Sequence, residues 1–391
     1  MNTLYFDTSA TTAPYPAVIE KITHVLAEAW GNPSSVHAAG IRARAILEES
    51  RRDVARALGI RRETEGKILF TSGGTEADQL AILGSVYAKR RPERGGSRGK
   101  ILTTDSEHPA VEECMKRLEA AGFTVCRVPT RGGALDMNYL CDNADGAILA
   151  SFMLVNNESG ALYDVKSAFA AVRAVSPDCV THTDAVQAFG KVRFTPAALG
   201  ADMVTVSSHK IGGPKGIGAL FVAAPIFKAR RLIAMTPGGG QEEGFRGGTE
   251  NMPGIVGFGE ACRLSAENFA DNAQRVKEVR DAILTGLAPY GDAVRVNTPL
   301  KGIDHIISLT VPGIRSETLL NFFSSRGICV SAGSACSARS RNLRRAKPAF
   351  GLTDKEADAT IRGSLAHRNT VQEAQIFTAA MADALQLQHF S

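Results

Sequence analysis

Long hydrophobic runs are missing from this chain. No stretch of about 18 apolar residues occurs in its 391 positions, which argues against a helical membrane span and predicts no membrane partner. The opening residues, MNTLYFDTSATT, lack the basic-then-apolar order of a secretion signal, so the chain is expected to begin directly as the mature protein. Metal-type cysteine pairing is missing too. Cys114, Cys126, Cys141, Cys179, Cys262, Cys329 and Cys336 form no Cys-x-x-Cys pair and no Cys/His cluster. No metal is therefore expected. Most of these thiols sit in apolar runs and read as core residues, which suits a reducing cytoplasm. Strong charge is absent as well. The 45 Lys and Arg against 40 Asp and Glu leave +5, too little to imply nucleic acid.

What is present is a globular composition, 44% hydrophobic and 22% charged. The length exceeds one small core, so one large or two packed domains are expected. Residues 36–58 show a helical pattern, with Ile41, Ala45, Val54 and Leu58 read as its apolar side. Strand patterns at 67–71, 101–104, 124–128, 146–155, 180–183 and 203–206 alternate with helical ones at 76–87, 111–120 and 165–175. That rhythm predicts an α/β fold with a parallel sheet. After Asn251 the rhythm breaks. A strand is expected at 303–311, a helix at 316–326, and a final helix behind the Thr370-x-x-Glu373 capping box. This tail reads as a smaller α+β unit.

Parallel sheets bind ligands beyond the carboxyl ends of their strands. Five polar segments fall there: Ser72 to Thr75, Glu107-His108, Asn156 to Glu158, Asp184 to Gln187 and Ser207 to Lys210. Lys210 sits between a strand and the glycine-rich turn IGGPKGIG. A lysine fixed there could act as a nucleophilic amine. Alone, the stretch favours a surface lysine in a glycine loop. Strand, Gly73-Gly74-Thr75, then helix is an anion-binding arrangement or a plain turn. Asp184, alone, reads as an N-cap or salt-bridge partner. Together with Lys210 it matches the carboxylate and Schiff-base lysine that proteins supply to pyridoxal phosphate.

The chain resembles the cysteine desulfurases of class V aminotransferase type. The matching segments are YFDTSATT, GNPSSVH, TSGGTEA, EHPAV, VNNESG, HTDAVQAFGK, SSHKIGGPKGIGAL, GGGQEEGFRGGTEN, SAGSACS and IRGSL, in that order from Tyr5 to Leu365. The resemblance implies an aminotransferase-type fold with a seven-stranded, mostly parallel sheet, a large cofactor domain at 15–262, and a small α+β domain from 1–14 plus 263–391. It implies pyridoxal 5'-phosphate as cofactor and Lys210 as its covalent anchor. His108 would stack on the ring, Asp184 would pair with the ring nitrogen, and Gln187 would bond the ring hydroxyl. Gly74, Thr75, Ser207 and His209 would hold the phosphate, with Thr249 reaching in from a second subunit of a homodimer. Asn157 and Arg362 would grip the carboxylate of L-cysteine. Asn32 and His37 match a motif near the site and receive no step.

By the same comparison Cys336 is the sulfur acceptor, which would carry a persulfide to an acceptor protein for iron–sulfur clusters or other sulfur metabolism. Small residues precede it, and Arg339 to Lys347 follow with no acid among them; nearby cations favour thiolate, the nucleophilic form. That basic run would steer an acidic acceptor. Gly363, Ser159 and the segment LAHRNT at 365–370 depart from the usual pattern. A selenocysteine lyase, another class V enzyme and a non-catalytic scaffold are the alternative readings. Cys336 within GSAC argues against a transaminase, and Lys210, Asp184, His108 and Cys336 together argue against a scaffold.

Overall fold

The computed structural model describes residues 3–89, 99–332 and 351–387. In chain order its main elements are β1 (Leu4–Tyr5), α1 (Pro16–Glu28), α2 (Ala38–Ala57), β2 (Gly66–Thr71), α3 (Gly74–Ala88), β3 (Lys100–Thr104) and α4 (Pro109–Ala120). Then come β4 (Thr124–Val128), α5 (Met137–Asn143), β5 (Ala147–Ser151), α6 (Val165–Val175), β6 (Val180–Asp184), α7 (Pro196–Leu199), β7 (Met203–Ser207), β8 (Gly218–Ala223) and α8 (Ala224–Lys228). The last third holds α9 (Met252–Glu267), α10 (Phe269–Leu287), β9 (Arg295–Val296), β10 (Ile306–Thr310), α11 (Ser316–Ser325), β11 (Ile328–Cys329), β12 (Thr360–Ser364) and a closing helix, Val371–Leu385.

Seven strands form one sheet in the order β2-β8-β7-β6-β5-β3-β4. Only β8 runs against the rest, pairing antiparallel with both β2 and β7. Two reversals restore the direction, so β2 points the same way as the parallel strands, and all five polar segments leave the sheet at one rim. Successive strand residues face opposite sides. Ile68, Leu102, Ala150 and Val204 join a core under α1, α2, α6 and α9. Leu69, Ile101, Leu149 and Met203 join a second core under α3 and α4. A three-stranded sheet, β12-β10-β9, carries a third core.

The element pattern agrees with expectation except in detail. Strand β8 and helix α1 were not anticipated, because GALFVA follows the glycine turn at once and has no βα rhythm around it. The expected strand at 146–155 ends at Ser151. Helix α2 buries only half of the apolar side expected of it: Val54 and Leu58 are buried, Ile41 and Ala45 are not. Gly40, Ala43, Leu47, Ser50 and Val54 face inward and pack on α9, where a Cβ on Gly259 would come within 2.9 Å of Ser50. Small residues permit that close approach, and Ile41 is left outside, 58% exposed. Cys114, Cys126, Cys179 and Cys262 are buried as expected, whereas Cys141 is exposed and Cys329 half-buried. Among the described residues no helix is long and apolar enough to cross a membrane, and no His, Cys, Asp and Glu group could hold a metal. The closing helix begins at the expected capping box, with the Glu373 N–H donating to Thr370 Oγ1 at 3.2 Å.

Candidate active site

At the common rim lies a cavity of about 200 Å³. Gly74, Thr75, His108, Asn157, Asp184, Gln187, Ser207, His209, Lys210 and Arg362 all line it. These are ten of the twelve residues singled out by sequence. Thr249 does not: within one chain it lines a different hollow with Leu26, Trp30 and Asn32. Cys336, and the basic run from Arg339 to Lys347, lie outside the described residues. His37 serves α2, its Nδ1 accepting from the Gly40 N–H as the N-cap.

Lys210 ends a short turn directly after β7. Its Nζ donates to the carbonyls of Ser9 and of Ala10, the latter at 2.8 Å. The N-terminal segment thus crosses the rim of the sheet and holds the lysine. Gln187 donates through Nε2 to the same Ser9 carbonyl at 2.9 Å. Asp184 ends β6, and one of its oxygens accepts from the Val186 N–H at 2.9 Å. Burial pushes its pKa up, while that bond and the Lys210 charge pull it down. Asp78 lines the cavity one helical turn after Gly74. Burial, then the Asp184 charge, raises its pKa well above the carboxylate range. Behind it His182 is bound by Ser151 at 2.8 Å and Thr205 at 3.0 Å, and burial lowers its pKa to about 3.

His108 caps α4, its Nδ1 accepting from the Ala110 N–H at 3.2 Å. Burial, then the Lys210 charge, lowers its pKa to about 4. His209 is lowered to about 4 in the same way. Both imidazoles are therefore neutral at pH 7. The His108 bond puts the proton of the neutral ring on Nε2. Arg362, on β12, is 2% exposed. It donates to the Asn157 carbonyl at 2.9 Å and to Asp7 at 2.7 Å.

Pyridoxal phosphate fits these residues. The first N–H groups of a helix lack intrahelical partners and favour an anion, and Gly74 and Thr75 open α3 on the cavity wall. A Cβ at Gly74 would lie 2.9 Å from Val186, so the close approach requires glycine. Ser207 Oγ, Ser9 Oγ, Asp78 Oδ1 and Arg362 Nε are buried without hydrogen-bond partners. Orphaned buried polar groups are costly unless a ligand completes them. A lysine amine, a buried carboxylate and a neutral histidine share the same small space.

The model of the family described as Aminotransferase class-V matches residues 4–377. The chain belongs to that family. As a class V protein it is 33% identical to "Cysteine desulfurase IscS 1" of Archaeoglobus fulgidus, over 94% of this chain and 93% of that one. Its fold superimposes on a solved "NIFS-like protein" with a TM-score of 0.88 and 32% identity, covering 99% of this chain and 100% of the other. A structure described as "SspA in complex with cysteine" matches at TM-score 0.78 and 29% identity, over 93% and 99%.

Several members of this class V site had no signal of their own in the sequence. Asp78 stands one residue beyond the segment TSGGTEA. Asp7, Ser9 and Ala10 lie inside YFDTSATT, yet two of them act through carbonyls that any residue carries. Glu107, named by sequence only as part of a polar strand end, is buried between Thr104 and the Met153 N–H, and only the fold reveals that burial.

Proposed function

We propose that this chain is a pyridoxal-phosphate-dependent cysteine desulfurase. It takes sulfur from L-cysteine, releases L-alanine and carries the sulfur as a persulfide on Cys336. The observation that carries the reading is the convergence of Lys210, Asp184, His108, Gln187 and Arg362 on one 200 Å³ cavity. Bound pyridoxal phosphate supplies a carbonyl for an amine and a sink for electrons.

The protein's own groups divide the remaining work. Lys210 Nζ would hold the cofactor covalently and would take the α-proton of the substrate. Asp184 would pair with the ring nitrogen, where a cation would offset the cost of a buried carboxylate. Gln187 offers its free N–H to the ring hydroxyl, since its carbonyl already accepts from Lys191 at 3.1 Å. His108 stacks as a neutral ring. Gly74, Thr75, Ser207 and His209 hold the phosphate. Arg362 and Asn157 grip the substrate carboxylate, Arg362 being held at Asp7 until then. The Cys336 thiolate attacks the substrate sulfur: an S–S bond forms, the substrate C–S bond breaks, and protonation at carbon gives alanine. Ser331 exchanges both backbone bonds with Arg362. Only five positions separate it from Cys336, so at ~3.5 Å per residue the chain is long enough to bring the thiol to the site.

The working unit is a homodimer in this reading. Leu26, Trp30, Val36 and Ile41 are exposed large apolar residues on α1, on α2 and between them, and Leu26 and Trp30 share a hollow with Thr249. An apolar patch of this kind suits a second copy, whose cofactor Thr249 would reach. The third core, built from Phe6 and residues 276–384, supports a division into 15–262 and 1–14 plus 263–391. Cytoplasmic location, and delivery of sulfur to an acceptor protein through the basic run, complete the proposal.

The test is release of alanine and sulfide from L-cysteine by the loaded enzyme, beside Cys336→Ala. Wild type should yield both, and the variant should lose turnover and persulfide. Alanine formation independent of Cys336 would sink the persulfide mechanism. Selenocysteine as competing substrate separates the lyase reading, and charge reversal across 339–347 tests the acceptor contact.

A further inference from the structure

Lys210 also lines a second cavity, of about 490 Å³, whose walls include neither Asp78 nor Asp184. Its lining carries Lys191, Lys215, Arg368, His305 and His367 beside Lys210, and a single acid, Glu373. Glu373 is occupied: its carboxylate accepts from the N–H of Thr370 at 3.0 Å and from Asn369 at 3.2 Å in the helix cap. Among the described residues no carboxylate pairs with Lys191, whose one side-chain hydrogen bond goes to Gln187 at 3.1 Å. An ammonium has three donors, so Lys191 has donors to spare. The positive charge of the lining comes from Lys191, Lys210, Lys215 and Arg368, since both histidines are held below the usual imidazole range. Burial, then the charges of Lys210 and Arg362, lowers the Lys191 pKa to about 7. Burial, then Lys191 and His367, lowers His305 to about 3. Half-buried Lys191, paired with no carboxylate among the described residues, calls for an anion.

The shape narrows the class. The volume lies within the ordinary range for small organic ligands, roughly 300–1,000 Å³, and exceeds the need of a bare oxyanion. Tyr15 and His367 lie flat on one another at the wall, ring centres 5.1 Å apart, with Arg368 5.6 Å from the Tyr15 ring. His367 and Arg368 come from LAHRNT, the segment that departs from the desulfurase pattern.

We propose that this second cavity is a binding site for a small organic anion, a ring bearing a phosphate or carboxylate head, with Lys191 as its central charge partner and Tyr15 and His367 as its wall. The site reports to the catalytic one. Lys191 holds the Gln187 carbonyl, and Gln187 and Lys210 share the Ser9 carbonyl. A ligand that draws Lys191 away frees the Gln187 amide, next to the cofactor. The inference does not rest on sulfur transfer and survives if the desulfurase reading fails.

Calorimetric titration of the cofactor-loaded enzyme tests it, with phenyl phosphate and benzoate as probes and phenol as the neutral control. At least one anion should bind at least about tenfold tighter than phenol, and saturation should shift the absorption band of the bound cofactor. The tighter of the two identifies the head group. Lys191→Met should weaken that probe about tenfold or more. Arg368→Gln, on an exposed side chain, should weaken it severalfold with an unchanged melting curve, and carries the test if Lys191→Met folds poorly. Equal affinity for phenol and the anions, failure of both anions to bind, or wild-type affinity in both variants would overturn the site.

Discussion

Two lysines stand at the ends of one hydrogen-bonded chain, and their surroundings are opposite. Lys210 meets carbonyls of the N-terminal segment on a cavity that also holds Asp78 and Asp184. Lys191, joined to it through Gln187 and Ser9, meets cations and histidines. Carboxylates collect where a cationic ring is expected to bind, and cations collect where no positive group is needed. A buried charge is tolerated only beside what will complete it, so each cavity describes its occupant by the sign it leaves unmatched.

The most severe way to break the comparison is Lys210→Ala. Covalent attachment of the cofactor and its visible band should vanish, and alanine release should fall by at least about 10³-fold. Lys191→Met should keep the attachment and alter only the band. A variant pair with equal losses would mean that the two lysines are not distinct in kind. Arg362→Lys is next. It retains charge but not the planar fork shared between Asp7 and the Asn157 carbonyl, and should lower kcat/KM for cysteine by about 10- to 100-fold, mainly through KM. An unchanged KM would remove Arg362 from the substrate carboxylate. Gln187→Leu should cost about tenfold and should abolish the band shift that ligands of the second cavity produce. Persistence of the shift would show that the coupling takes another route.

How much of this was legible in the residues depended on what kind of group does the work. Side chains at strand ends were readable, because the βα rhythm puts them on one rim and glycine marks close approach. Lys210, Asp184 and Gly74 were found that way, with the resemblance supplying their roles. The carbonyls of Ser9 and Ala10 were not readable, since a backbone oxygen has no residue type. Asp78 was hidden, and the protonation of Glu107 with it, because burial, not spacing, gives them their character. The outward turn of Ile41 was misread for a related reason: periodicity finds a face, but only the small residues of α2 against α9 decide which face goes in. Lys191 stood in plain view at the end of HTDAVQAFGK, yet nothing in that string reveals that, among the described residues, no carboxylate pairs with it.

The smallest expected effect tests the acid-rich side through stability alone. Burial raises the Glu107 pKa to about 8, against the bonds from Met153 and Thr104 that lower it. One of its oxygens, Oε2, has no partner, as fits a carboxylic acid that keeps its proton. An unfolded glutamate loses that proton near pH ~4.3. Between there and about 8 the folded chain therefore holds one proton more than the unfolded one, and stability must fall as pH rises through that window and level off above it. Glu107→Gln keeps the accepting oxygen and has no proton to lose. Its melting temperature should match wild type near pH 4 and exceed it progressively up to pH ~8. A difference that stays flat across that range, or grows towards acid, would mean that Glu107 is ionised in the folded protein. An ionised Glu107 would then add its charge to those of Asp78 and Asp184, more than one cationic cofactor ring can match.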